Sequence, residues 1–180
     1  AGYEAGLAMS GNDSTIRVAG AGSMLEGVNT AGGSFHMSIG SGSAVRDSLT
    51  VEDGGVVTGL NVVVGTSGSG NSLLIANGGK MYGKDGSSYI GGGGSSGNTG
   101  IVTGAGSLWN VGWEPPGGLG GGALLGLTGS SNLLVVANNA VVTNAGAYVY
   151  GSGHWGVMVG HNSGSLGNQL IVTNGGKVCN

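Results

Sequence analysis

VGHNSGSLGNQLIVTNGGKV, running from Val159 to Val178, is one statement of a pattern that the chain repeats along its length. An apolar residue and a glycine open it (Val159, Gly160), and a loose Gly/Ser/Asn loop follows. The alternating segment Leu170-Ile171-Val172-Thr173 comes next, then a turn at Asn174-Gly175-Gly176 and a resumption at Lys177-Val178. Residues 64–81, VGTSGSGNSLLIANGGKM, restate it closely, with Leu73 and Ile75 as the alternating pair and Asn77-Gly78-Gly79 as the turn. In 39–57 the pair is Leu49 and Val51 and the turn Asp53-Gly54-Gly55; in 125–142 they are Leu134 and Val136, with Asn138-Asn139-Ala140. Ile90-Gly91 opens a further copy whose second half reads IVTGAGSLW, and residues 7–23 form a first copy ending in IRVAGAGS. The openings fall near positions 8, 39, 64, 90, 125 and 159. A spacing of about 25 to 35 residues is the signature of solenoids, propellers or arrays.

Composition narrows the choice. Forty-five glycines among 180 residues show no G-X-Y period, which excludes collagen. Hydrophobic residues make up 39% of the chain, concentrated in alternating Val/Leu/Ile runs that can bury a core, so the glycines punctuate strands and do not mark disorder. Net charge is −3, and Arg17, Arg46, Lys80, Lys84 and Lys177 are scattered, without the basic stripe that nucleic acid requires. No apolar run approaches the roughly 20 residues that cross a bilayer. The single cysteine, Cys179, excludes an internal disulfide framework. A start at Ala1 and an end at Asn180, inside a repeat, suggest a processed product or an excerpt of a longer chain.

Units that follow one another in the same internal order, each with about three short strands, favour a parallel β-solenoid of about six irregular coils. One domain then spans residues 1–180, with a Pro/Gly-rich insertion at about 110–122 that holds both prolines. Stacked coils sit about 4.8 Å apart. Leu49, Leu73, Leu134 and Leu170 are expected in one interior column, and Val51, Ile75, Val136 and Val172 in another. Asp53, Asn77, Asn138 and Asn174 share the place after the strand, where a short polar side chain tolerates the left-handed conformation, and are expected to form a turn ladder. Asn-Gly also marks tight hairpins. A propeller or antiparallel sandwich is therefore the alternative fold, but it leaves the apolar-Gly openings without a role.

Two phrases resemble a known group. VTGAGSLW at 102–109 and the VG-x-x-GSGN-x-L-x-I-x-NGGK pattern at 64–80 are similar to the repeats of autotransporter passenger domains and related bacterial surface proteins. The resemblance implies a right-handed parallel β-helix, secreted or displayed on the cell surface, with roles in adhesion or matrix formation. The proline insertion, the uneven coil lengths and the lack of a membrane barrel depart from the family.

Residues able to carry chemistry are sparse. Sugar-cleaving β-helices need carboxylates converging on one exposed face, and the candidates are Asp47, Glu52, Asp53 and Asp85, with Arg46 and Lys84 nearby. Glu52 alternates with Val51 and is expected to point outward as a solvated group. His36, His154 and His161 lack zinc-site spacing, and one cysteine cannot complete such a site. No nucleophile elbow, phosphate loop or calcium-repeat motif is present. Trp109, Trp113 and Trp155 would stack on sugars if exposed together; packing against the coil as loop anchors is the ordinary role.

These features point to a non-enzymatic extracellular structural or adhesive solenoid without cofactor or metal. Its partners are expected to be copies of itself, joined head-to-tail, or a longer chain of the same repeat, with surface glycans as further ligands and neither nucleic acid nor membrane insertion. The competing expectation is a polysaccharide-binding or polysaccharide-cleaving β-helix.

Overall fold

The protein is described by a computed structural model over residues 6–28, 36–84, 86–111, 122–144 and 156–179. The chain winds through six coils of three strands each. The first holds β1 (Ala8–Met9), β2 (Thr15–Ala19) and β3 (Met24–Glu26), and the second β4 (His36–Ile39), β5 (Ser48–Glu52) and β6 (Val56–Thr58). The third holds β7 (Asn61–Val64), β8 (Ser72–Ala76) and β9 (Lys80–Tyr82), and the fourth β10 (Ser88–Ile90), β11 (Thr99–Thr103) and β12 (Leu108–Asn110). The fifth holds β13 (Ala123–Leu125), β14 (Leu133–Ala137) and β15 (Val141–Thr143), and the sixth β16 (Val157–Val159), β17 (Gln169–Val172) and β18 (Lys177–Cys179). Corresponding strands pair in parallel, giving three sheets of six strands that run the length of the stack. This is a parallel β-solenoid, not a propeller or a sandwich.

Strand registers align the repeat residue by residue. Leu49, Leu73, Gly100, Leu134 and Leu170 are successive partners in one column, and Val51, Ile75, Val102, Val136 and Val172 in the next. Alternation along each strand sends these residues inward and their neighbours out. Leu49, Leu73, Leu134, Val51, Ile75 and Val136 are sealed from solvent, whereas Leu170 is half-buried and Val172 is 46% exposed because it lies in the last coil. Gly100 breaks the leucine column without leaving a gap. Ile90 reaches across from the neighbouring sheet into the space that a side chain there would occupy.

The recurring apolar openings also align. Met9, Ile39, Val64, Ile90, Leu125 and Val159 are paired in order at the ends of the first sheet's strands. Corners follow where the chain must leave one sheet for the next. Asp53, Asn77, Asn138 and Asn174 all take positive φ, between 48° and 54°, and each turns the chain from the second sheet into the third. Asn77 donates a side-chain hydrogen bond to Asp53 Oδ1 at 3.3 Å, one rung of a turn ladder, whereas Asn138 turns to Thr103 Oγ1 at 2.9 Å.

Trp109 departs from its expected place in a loop. It lies in β12 between Met81 and Val142, is 1% exposed, and fills the interior of the third sheet's column. Most of the proline insertion, with Trp113, lies outside the described residues, as do Trp155, His154 and Asp85.

Candidate functional site

The most ordered polar feature lies inside the solenoid, one position before each strand of the second sheet. Registers place Ser14, Asp47, Asn71, Asn98, Asn132 and Asn168 in a single column. Asp47, Asn71, Asn98 and Asn132 are at most 1% exposed. Buried polar groups persist with few exceptions only when hydrogen-bonded, and the asparagines of this column satisfy one another. Asn98 Oδ1 accepts from the backbone N–H of Asn71 at 3.0 Å and from its side-chain amide at 3.1 Å. Asn132 Oδ1 accepts the same pair from Asn98, both at 3.0 Å, and Asn168 Oδ1 the same pair from Asn132, at 3.0 and 2.9 Å. Each side chain thus locks one coil to the one before it.

The glycine of each opening makes room for this ladder. Gly40, Gly65, Gly91 and Gly126 have positive φ, and a Cβ on any of them would overlap the carboxamide of Asn71, Asn98, Asn132 or Asn168 in the next coil. Apolar-Gly therefore recurs because the apolar residue enters the core while the glycine clears the following coil's asparagine.

Asp47 interrupts the ladder. Its Oδ1 accepts from Ser14 N–H at 2.8 Å and its own N–H donates to Asn71 Oδ1 at 2.9 Å, but Oδ2 is buried without a partner. In Asn71, Asn98 and Asn132 this place belongs to an amide that donates to the next coil. Asp47→Asn should restore the donor and raise stability by about 1–2 kcal/mol. The midpoint of thermal unfolding should then rise by about 2–8 °C for a chain of this size.

Among the described residues the candidate carboxylates are engaged separately and not as an acid-base pair. Asp47, one of the candidate carboxylates, points into the core and is removed from any exposed face. Glu52 faces outward and meets Arg17 at 2.6 Å, and Asp53 lies 3.8 Å from the same guanidinium. Arg46 forms a two-pronged pair with Asp13, at 2.6 and 2.7 Å, which holds the Asp13 carboxyl below its usual range and raises the guanidinium's own pKa. The Lys84 main chain is held by Asn61, whose carboxamide donates to Lys84 C=O and accepts from its N–H.

His161 Nδ1 lies 2.9 Å from Asn162 Oδ1, in a loop of the last coil, and Cys179 is exposed at the end of β18. Among the described residues no group of three or more His, Cys, Asp or Glu is placed to hold a metal ion, and no helix is long and apolar enough to cross a membrane.

The two ends of the stack differ from its middle. At one end Leu7, Met24 and Val28 are 40–65% exposed, and at the other Val159, Leu166, Ile171 and Val172 are 41–69% exposed. Among the described residues, strands β1, β2 and β3 have a paired neighbour on one side only, as do β16, β17 and β18.

Comparisons with protein-family models, with curated proteins and with solved structures find no match for this chain.

Proposed function

We propose that the chain is a non-enzymatic, extracellular structural or adhesive solenoid, and that its end coils join those of other copies head-to-tail into a filament or surface matrix. The observation that carries this reading is the exposure of residues that continue interior columns. Val172, 46% exposed, extends a column whose middle members are fully buried, and at the other end Ile16, the partner of Leu49, begins the neighbouring column only partly buried. A second copy stacked on β17 would place its Val18 over Val172 and its Ser14 over Asn168, where the Ser14 hydroxyl is an acceptor for the ladder's next N–H. Unpaired strand edges template such addition, and a head-to-tail contact does not close on itself. The low charge and the resemblance to passenger-type repeats agree with display outside a cell.

Electron microscopy and light scattering of the purified chain test the proposal. Filaments that lengthen with concentration are expected, and Val172→Lys or Ile16→Lys, each on an interior column at one end, should stop growth. Equal parts of the two variants should give only short oligomers, since each retains one competent end. A chain that stays monomeric at high concentration would overturn the reading, as would filaments indifferent to both substitutions.

A further inference from the structure

The outer face of the first sheet carries a groove of about 490 Å³, lined by Gly6, His36, Ser38, Val63, Thr66, Tyr89, Gly92, Gly93 and Leu127. That volume falls within the roughly 300–1,000 Å³ of small-molecule sites. The lining comes from five successive coils, so the groove runs along the rod for four inter-coil steps, about 19 Å at about 4.8 Å each. Ser38, Val63 and Tyr89 are register partners on its floor.

The chemistry of the walls selects among ligands. No Lys, Arg, Asp or Glu is among these residues, and burial lowers the pKa of His36, leaving its imidazole neutral near pH 7. A charged ligand would therefore find no countercharge among the described lining residues. An entirely apolar ligand fits no better, because His36, Ser38, Thr66 and Tyr89 put polar side chains among the lining, and His36 Nδ1 and Thr66 Oγ1 are held buried without a hydrogen-bond partner. A flip of the imidazole ring, or a turn of the threonine about its first side-chain torsion, presents these atoms to an incoming hydroxyl. A peptide strand cannot add here by backbone pairing, since the floor is a sheet face and its N–H and C=O groups are bonded along the rod. A ligand with both an apolar face and many neutral hydroxyls remains. Tyr89, half-buried on the floor, offers an aromatic ring to the apolar face. Gly92 and Gly93 have no side chains to hold a ring away.

We propose that this groove binds a neutral oligosaccharide lying along the solenoid axis. Tyr89 stacks on one sugar ring while His36, Ser38 and Thr66 bond its hydroxyls. Recognition is by the side of the rod, so it stands or falls independently of joining at the ends.

The test is titration calorimetry of the full chain with neutral gluco-, manno- and galacto-oligosaccharides of increasing length, alongside uronate and sulfated oligomers. At least one neutral series should bind, more tightly as length increases from one ring to several. Tyr89→Ala should weaken it about tenfold or more, and Thr66→Val, which keeps the shape and removes the hydroxyl, by severalfold. Circular dichroism and thermal unfolding verify that each variant is folded, and Thr66→Val carries the test should Tyr89→Ala unfold. The proposal is overturned by failure of every neutral oligomer to bind, by binding confined to anionic oligomers, or by affinity unchanged in both folded variants.

Discussion

Asn98→Ala is expected to lower the unfolding free energy by about 3–5 kcal/mol, a large loss for one polar side chain. Asn98 Oδ1 is the acceptor for two donors of Asn71, its backbone N–H and its side-chain amide. Both would be left in the interior without a partner, and each such orphan costs about 1–3 kcal/mol. Asn132 Oδ1 would lose one of its two donors and Ser95 Oγ the side-chain amide that bonds it at 3.2 Å. Denaturant unfolding measures the loss. An exposed turn asparagine such as Asn77, with one 3.3 Å side-chain bond, provides the contrast, and Asn77→Gly should change stability by less than about 1 kcal/mol because glycine suits its φ of 49°.

Gly91→Ala is expected to be as damaging, although it adds only a methyl group. Gly91 has φ of +83°, where an alanine carries a steric penalty of about 1–2 kcal/mol. Its Cβ would also overlap the Asn132 carboxamide. Moving that group breaks its bonds to Asn98 and Asn168, so the total should reach about 4 kcal/mol or more. Gly78 makes the control: its φ is +78°, yet a Cβ there meets nothing within 4 Å. Gly78→Ala should therefore show the conformational penalty alone, and the difference between the two variants, read from thermal or denaturant unfolding, isolates the collision with the ladder.

The parts of the fold legible in the sequence are those where one residue type has one physical reason to recur. Leu49 and Val51, like Leu73 and Ile75, alternate because a strand with one buried face must, and their registers place them in shared columns. Asp53, Asn77, Asn138 and Asn174 recur where the chain needs positive φ. The interior ladder is hidden in the sequence because asparagine among glycines and serines has the composition of a surface loop. Its signal is positional: Asp47, Asn71, Asn98, Asn132 and Asn168 each stand two residues before the first interior column position, Leu49, Leu73, Gly100, Leu134 and Leu170. Extending the alternation one step back places them inside. The strand position of Trp109 is masked by its neighbours 110–122, whose glycine and proline obscure that it lies in the last strand of a regular coil. The groove at Tyr89 and His36 had no sequence signature, since its lining is drawn from five coils and assembled only by stacking.

Stacking in register is the claim on which the ladder, the groove and the end-joining all depend, and cysteine cross-linking tests it most directly. Leu74 and Ile101 are outward-facing partners on adjacent coils, so in a Cys179→Ser background the pair Leu74→Cys and Ile101→Cys places two Cα atoms about 4.8 Å apart, within disulfide reach. Thr103 lies on the same face two residues further on, about 8 Å from Leu74 and beyond that reach. Under mild oxidation the 74/101 pair should close to near completion and the 74/103 pair should stay reduced. Failure of the first pair to close, or equal closure of both, would contradict the stacked solenoid.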